Sequence, residues 1–353
     1  PITLARGEGG RAVTTFSLAA DELSRFGGEV VPVDIEEAFE GYQCVVRRFP
    51  VGPISALSPF NFPLNLVAHK LAPALAVGSA VVLKPAPQAP LTAFLLAEIV
   101  ESAGALPGRF NVVHCHPPVA ELLATDPRPR MLSFTGSAAV GWHLKSIAGQ
   151  KRVTLELGGN AGVIVHEDAD LDWAVRRSAL GAFAYAGQIC ISVQRLLVHE
   201  AVYADFRDRF VAAARALPAG DPRDPATMVG PVIDDKAAER VVAWVDEARA
   251  AGARVLTGGG REGRLVAPTV LEDVDPELPV SAEEVFGPVV VLDRYTDFES
   301  AVEQVNASKY GLQASVFTHD ERRVRHAFSE IEVGGLVVND YPLVRVDNFP
   351  YGG

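Results

Sequence analysis

The sequence predicts an α/β fold of two doubly wound domains. Three observations predict it. The chain has 353 residues, and at roughly 100–200 residues per domain that suggests two domains. Short apolar runs alternate with helical patterns through most of its length, as βαβ units around a mostly parallel sheet require. The alternation restarts after the Gly-Gly pair at 158–159. Apolar residues make up 48% and charged residues 22%, an ordinary globular balance with enough material for substantial cores. A net charge of −12 argues against a nucleic-acid partner, whose binding face would be basic. No apolar run reaches the roughly 18 residues of a membrane span, and no signal peptide is visible, so no membrane partner is expected. The three cysteines, Cys44, Cys115 and Cys190, are far apart, which fits a reducing, cytoplasmic compartment better than a disulfide scaffold. Three adjacent ligands in HCH (114–116) cannot readily close on one ion, so no metal is expected there. The chain opens at Pro1 and stops at NFPYGG, and truncation at both ends is the expectation.

The elements follow in order. RAVTTFSLAADELSRF (11–26) has helical spacing, and strand-like VVPVD (30–34) and CVVRRFPVG (44–52) flank an acidic segment. ISALS, SAVVLKP, RFNVVH, RMLSF and RVTLEL are then strands, separated by helices in LNLVAHKLAPALA, PLTAFLLAEIVESAG, PVAELLAT and AAVGWHLKSIA. After residue 158 a second set begins. AGVIVHE, RLLVHE, VVVLDRY, ASVFT and GGLVVND are strands, and helices are expected in LDWAVRRSALGAFAY and over 201–216, 234–251, 297–306 and 321–330. The Pro- and Gly-rich stretch 217–231 reads as a surface connection.

A doubly wound sheet suggests a nucleotide. The only G-x-G-x-x-G is Gly258–Gly260–Gly263, but strand-like LVAPTVL follows it where a helix would have to open, so it reads as an ordinary loop. FTGSAAVGWHLKS (134–146) is a better phosphate site. A strand ends at Phe134, and Gly136 and Ser137 open a helix with no acid in its first turn, leaving amides free for an anion. The alternative is a plain serine cap. Four more stretches stand out: SPFNFPLN with Asn61, VVLKPAPQAP with Lys84, TLELGGN with Glu156, and EEVFGPVV with Glu283, Glu284 and Phe286. Singly, each has an ordinary reading as a turn residue, a solvated strand end, an ion-pair partner or an exposed acidic face. In this order and at these spacings they are not independent.

Together with AGQICIS around Cys190 and the terminal NFPYGG, these motifs resemble the aldehyde dehydrogenase superfamily, NAD(P)-dependent enzymes that oxidise aldehydes to acids. The resemblance covers essentially the whole chain. GQICISVQR and VVNDYPLVRVDNFPYGG are most similar to the branch of lactaldehyde and non-phosphorylating glyceraldehyde-3-phosphate dehydrogenases. It implies a Rossmann-like NAD(P)-binding domain over 1–29 and 51–157, part of a β oligomerisation arm over 30–50, and a catalytic domain over 158–353, incomplete at its C-terminus. By resemblance Cys190 is the nucleophile, a thiol being the natural group to add to an aldehyde near neutrality. Asn61 and the Cys190 N–H would hold the oxyanion. Glu156 would activate the hydrolytic water, a role that burial raising its pKa would favour. Lys84 would hold an adenosine-ribose hydroxyl, Gly136 and Ser137 the pyrophosphate, Glu284 the nicotinamide-ribose hydroxyls, and Phe286 would pack near that ring. The cofactor is NAD or NADP. Pro87 stands where NAD-preferring relatives often carry the glutamate that holds the ribose 2′-hydroxyl, and Ala161-Gly162 replaces the usual small residue and proline after LELGGN. Arg345 matches an arginine that relatives with anionic substrates use at the pocket mouth, a guanidinium suiting carboxylate or phosphate; the alternative is a surface salt bridge. The expected partners are a small-molecule aldehyde and further copies of the chain, as a homodimer or homotetramer. The competing functions are a truncated or non-catalytic relative, and a cysteine hydrolase or acyltransferase, for which no histidine is placed: His199 is near Cys190 in sequence but is expected to open a surface helix.

Overall fold

Residues 1–352 are described by a computed structural model; Gly353, the last residue of NFPYGG, lies outside the described residues. The chain forms two units, Gly7–Glu156 and a second made of Pro1–Arg6 with the residues from Leu157 on. The first six residues, expected with the N-terminal part, belong to the second unit because Ile2 N–H donates to the Pro222 carbonyl at 2.7 Å and the Thr3 hydroxyl to that of Pro225 at 3.0 Å.

The N-terminal unit is built on five parallel strands: β3 (Ile54–Leu57), β4 (Val81–Lys84), β5 (Phe110–Val112), β6 (Met131–Thr135) and β7 (Arg152–Glu156). Their spatial order is β5-β4-β3-β6-β7. The connections therefore run one way from β3 and the other way from β6, leaving a crevice at the carboxyl ends where the direction reverses. Helices α2 (Asn65–Ala76), α3 (Leu91–Ser102) and α6 (Ala138–Ile147) connect these strands. Val67, Leu71, Leu83, Ala93 and Leu96 form a core beneath α2 and α3. The start of α2 is held by buried Glu8 of helix α1 (Ile2–Glu22), whose carboxylate accepts from Leu64 N (2.7 Å) and Asn65 N (2.9 Å). A two-stranded antiparallel arm, β1 (Gly28–Val31) with β2 (Cys44–Arg47), completes the unit.

Three expected elements differ, each for a local reason. VVPVD pairs only as far as Val31, because Pro32 has no N–H to offer the ladder. PVAELLAT is not one helix but two single turns, α4 (Pro117–Ala120) and α5 (Leu122–Thr125), separated at Glu121. LVAPTVL is split by Pro268 into β12 (Leu265–Val266) and β13 (Thr269–Glu272). The glycines at 258–263 accordingly lead into the hairpin of β11 (Arg261–Glu262) with β12, not into a helix.

The C-terminal unit carries a seven-stranded sheet. Its remaining strands are β8 (Ala161–Val165), β9 (Val193–His199), β10 (Arg254–Thr257), β14 (Val289–Tyr295), β15 (Gln313–Phe317) and β16 (Gly335–Val338), in the order β10-β13-β14-β9-β8-β15-β16. Only the β10–β13 pairing is antiparallel. Every residue of β8, β13 and β15 is buried, as expected for strands covered on both faces. On one face α7 (Leu171–Phe183), α8 (Glu200–Ala216) and α9 (Asp235–Ala250) pack through Phe183, Phe206, Phe210 and Val241. After the single turn α10 (Pro279–Ala282), α11 (Phe298–Asn306) and α12 (Glu321–Glu330) pack on the other face through Val302, Val305 and Ala327 onto Ile164, Leu197 and Val316. Asp170, Asp234, Asp297 and Asp320 cap α7, α9, α11 and α12, each accepting a first-turn N–H.

Candidate active site

In the N-terminal unit the candidate residues gather along one edge of the sheet. Asn61 follows β3, Lys84 ends β4, Gly136 and Ser137 follow β6, and Glu156 ends β7. This is the carboxyl edge, and the β3/β6 crevice is its topological switch point, where open parallel sheets bind ligands. Asn61 is 3% exposed and Lys84 8%. Ser137 stands at the N-cap position of α6 with an extended backbone (φ −67°, ψ 147°), yet its side chain caps nothing. A plain capping role would have used that hydroxyl. Instead it is left with the first-turn amides of a ten-residue helix that has no acid there, an arrangement suited to an anion such as a pyrophosphate. Burial lowers the Lys84 ammonium below its usual range, and nearby Cys115 opposes this. Among the described residues no carboxylate pairs with Lys84, so its donors remain for a ligand hydroxyl. These residues fit a dinucleotide.

Lys70 was missed by sequence reasoning. It lies on α2, and its Nζ donates to Ser133 Oγ (3.0 Å) and Thr135 Oγ1 (2.8 Å) of β6. Burial brings it down to about 7, with the Glu156 carboxylate pulling the other way. In sequence it is one polar position on a helix; the inward turn of its ammonium shows only in three dimensions.

In the C-terminal unit Cys190 sits on the turn between α7 and β9. Three consecutive residues before it are left-handed, Tyr185 (φ 59°), Ala186 (φ 55°) and Gly187 (φ 65°). Two of them carry side chains, at a cost of about 1–3 kcal/mol each, and such strain concentrates at functional sites. The turn is pinned on both sides. Ile233 N–H donates to Gln188 Oε1 at 2.8 Å, Ser192 N–H to the Ile189 carbonyl at 2.9 Å, and the Ser192 hydroxyl reaches the last turn of α7 at Gly181 and Ala182. The Cys190 sulfur lies 3.7 Å from the Tyr351 hydroxyl, a second residue that sequence reasoning did not single out. Arg345 lies six residues before Tyr351 in the same irregular segment. Its guanidinium donates to the carbonyls of Val346 and Phe349 and lies 4.7 Å from the Tyr351 ring centre.

The paired acids of EEVFGPVV separate. Glu283 is held by Lys309 and by the Tyr310 hydroxyl (3.2 Å). Glu284 turns inward and accepts from Gly159 N–H at 3.0 Å. A β-carbon on Gly158 would collide with the Glu284 carboxylate, and one on Gly159 with the Cys190 carbonyl. The two glycines of LELGGN therefore let the strand start, the cysteine turn and the acid close on one another. Phe286 follows in a left-handed conformation (φ 46°). The loop is stapled by Asn160, whose amide donates to the Ser281 (2.7 Å) and Glu283 (3.2 Å) carbonyls, and by Gln194, which accepts from Val285 N–H (3.0 Å).

Burial pushes the Glu284 carboxyl up to about 7, against the Gly159 N–H and the Arg240 guanidinium, which pull it down. Because the folded value lies above the unfolded one, the native state retains a proton that the unfolded chain gives up. Stability is therefore present at low pH and is lost as pH rises from about 4.5 to about 7. Glu284→Gln removes that loss. Relative to the parent, the variant is expected to gain roughly 2–3 kcal/mol between pH 4.5 and pH 8, read from urea midpoints at both pH values. A midpoint difference that does not change with pH would show that Glu284 is not the group responsible.

His199 does not serve Cys190. It ends β9 and caps α8 by accepting from Ala201 N–H, while Cys190 precedes the other end of β9. The seven-residue strand alone spans about 20 Å. Among the described residues no helix is long and apolar enough to cross a membrane, and no cluster of His, Cys, Asp and Glu could hold a metal ion.

Comparison with known proteins places the whole chain in one family. The family model described as "Aldehyde dehydrogenase family" matches residues 1–353. A "3-sulfolactaldehyde dehydrogenase" of Priestia aryabhattai is 45% identical over 353 residues, which is 100% of this chain and 74% of the relative. The crystal structure of aldehyde dehydrogenase 21 from Physcomitrella patens in complex with the reaction product succinate superposes with a TM-score of 0.98 at 47% identity, covering 100% of this chain and 74% of that one. The glyceraldehyde-3-phosphate dehydrogenase GapN from Methanocaldococcus jannaschii, complexed with NADP, gives 0.95 at 39% identity, covering 100% and 76%. A strained cysteine turn, an enclosed carboxylate and an anion-ready helix start, on a chain matched from end to end by one family, lead to one conclusion: the chain belongs to the aldehyde dehydrogenase family and is an NAD(P)-dependent aldehyde oxidoreductase.

Proposed function

We propose that the substrate is a short aldehyde bearing an anionic group, and that Cys190, Glu156 and Asn61 carry the chemistry. The Cys190 thiolate adds to the carbonyl carbon, and the carbonyl electron pair moves to oxygen, where the Asn61 amide and the Cys190 N–H serve as donors. When bound, the nicotinamide supplies the acceptor for the hydride that leaves the adduct. Glu156 then takes a proton from the water that attacks the resulting Cys190 thioester, releasing the acid and the thiol. Lys84, Gly136, Ser137, Glu284 and Phe286 hold the cofactor, NAD or NADP.

One observation carries the substrate class. The Arg345 guanidinium lies over the ring of Tyr351, whose hydroxyl touches the Cys190 sulfur. A guanidinium that shares one ring with the reacting sulfur favours an aldehyde with a carboxylate, sulfonate or phosphate, which would compete for it with the Asp347 carboxylate at 3.9 Å. The names of the relatives, with sulfolactaldehyde as a substrate and succinate as a bound product, support the same class. The test is a panel of sulfolactaldehyde, succinate semialdehyde, lactaldehyde and propanal with NAD and with NADP, followed by absorbance of the reduced cofactor. The anionic aldehydes are expected to exceed propanal at least about tenfold in kcat/KM; parity would refute the class. Assembly as a homodimer or homotetramer belongs to the same reading. It is supported by the β1–β2 arm, which exposes Val30, Val45 and Val46 on a sheet of only two strands. A cytoplasmic location is supported by three free cysteines.

A further inference from the structure

The Tyr351 hydroxyl stands 3.7 Å from the Cys190 sulfur, within reach of a sulfur hydrogen bond. With a neutral thiol either atom can donate. With a thiolate only the phenol can, and a bond to a charged acceptor is the stronger one. The hydroxyl is held in place by its neighbours. Arg345 donates to the Val346 carbonyl and, at 3.1 Å, to the Phe349 carbonyl, and lies 3.9 Å from the Asp347 carboxylate, which fixes its guanidinium and offsets part of its charge. That cation lies against the Phe349 ring (4.9 Å) and the Tyr351 ring (4.7 Å). A cation over the face of a phenol draws density from the ring and makes its O–H the better donor. The start of this segment is tethered to β15, where the Gln313 amide donates to the Val344 carbonyl (3.5 Å).

We propose that Tyr351 is a further catalytic residue, whose O–H donates to the Cys190 sulfur and favours its thiolate, and that Arg345 is the positioning residue that orients and polarises this phenol. The inference rests on Cys190 as nucleophile. Its readout needs neither aldehyde nor cofactor, so failure of turnover and failure of this contact are distinguishable.

The test is the rate at which iodoacetamide alkylates Cys190 in the intact chain from pH 5.5 to pH 10, followed on the Cys190 peptide by mass spectrometry. Tyr351→Phe deletes one oxygen and keeps the ring. Losing one hydrogen bond to a charged sulfur is expected to move the midpoint of the profile upward by about one pH unit. Thiolate nucleophilicity rises with basicity at a slope of about 0.4–0.5. Below the midpoint the variant therefore has about a tenth of the thiolate, each about threefold more reactive, and alkylation falls about threefold. On the alkaline plateau it rises about threefold, so the two profiles cross. Arg345→Met is expected to shift the profile the same way by a smaller amount, and to add nothing in a Tyr351→Phe background. Superposed profiles, or rates reduced by one factor at every pH, would overturn the role of Tyr351. An Arg345→Met shift that persists in the phenylalanine background would overturn the positioning role.

Discussion

Cys190→Ala is expected to lower aldehyde oxidation by at least about 10⁴-fold, with little change in fold or in cofactor binding. An aldehyde carbon does not readily give up hydride while it remains a planar carbonyl. Addition of a nucleophile places a negative oxygen on that carbon, and the oxygen's electron pair expels the hydride. The thiol is the group in the C-terminal unit that can do this near neutrality. The other two cysteines, Cys44 and Cys115, belong to the N-terminal unit. The substitution leaves the turn intact, since backbone and side-chain bonds from Gln188 and Ser192 hold it, not the sulfur. Initial rates with saturating aldehyde, beside the thermal midpoint of the same preparation, make the measurement. A folded alanine variant retaining more than about one part in a hundred of parental turnover would remove Cys190 from the mechanism.

The alternation of short strands and helices was legible because burial on both faces leaves apolar runs, while helices leave a 3.6-residue stripe. Strand order and the reversal between β3 and β6 were not, since periodicity says nothing about which strands are neighbours. Asn61, Lys84, Glu156 and Ser137 were legible as polar residues at the ends of apolar runs, and the crevice they border is a property of the folded sheet. The strain at Tyr185 and Ala186 left no trace in the sequence, because the left-handed region usually announces itself by glycine. Lys70 read as one cation on an amphipathic helix; its partners Ser133 and Thr135 are more than sixty positions away. Tyr351 read only as one letter of the terminal NFPYGG motif. Both missed residues act through one polar atom aimed at a distant partner, information that composition and spacing do not contain.

Glu156→Gln is expected to separate the two halves of the reaction. Adduct formation and hydride departure need a thiolate and oxyanion donors, and they leave Cys190 acylated. Hydrolysis of that thioester needs a base for water, and glutamine offers none. The first turnover should therefore proceed at close to the parental rate, giving a burst of reduced cofactor of about one equivalent per site. The steady state should then fall about 10²–10⁴-fold. Lys70 sharpens the expectation. Below about pH 7 its buried ammonium lies near enough to Glu156 to interact with it, which favours the carboxylate over the acid. The parental steady state should accordingly persist to lower pH than the same glutamate without that cation would permit, and Lys70→Met should move its acid limb upward. Stopped-flow absorbance of the glutamine variant decides the assignment. A full burst followed by stalling fixes Glu156 as the hydrolytic base. A vanished burst would place its proton transfer before hydride departure, at the thiol itself.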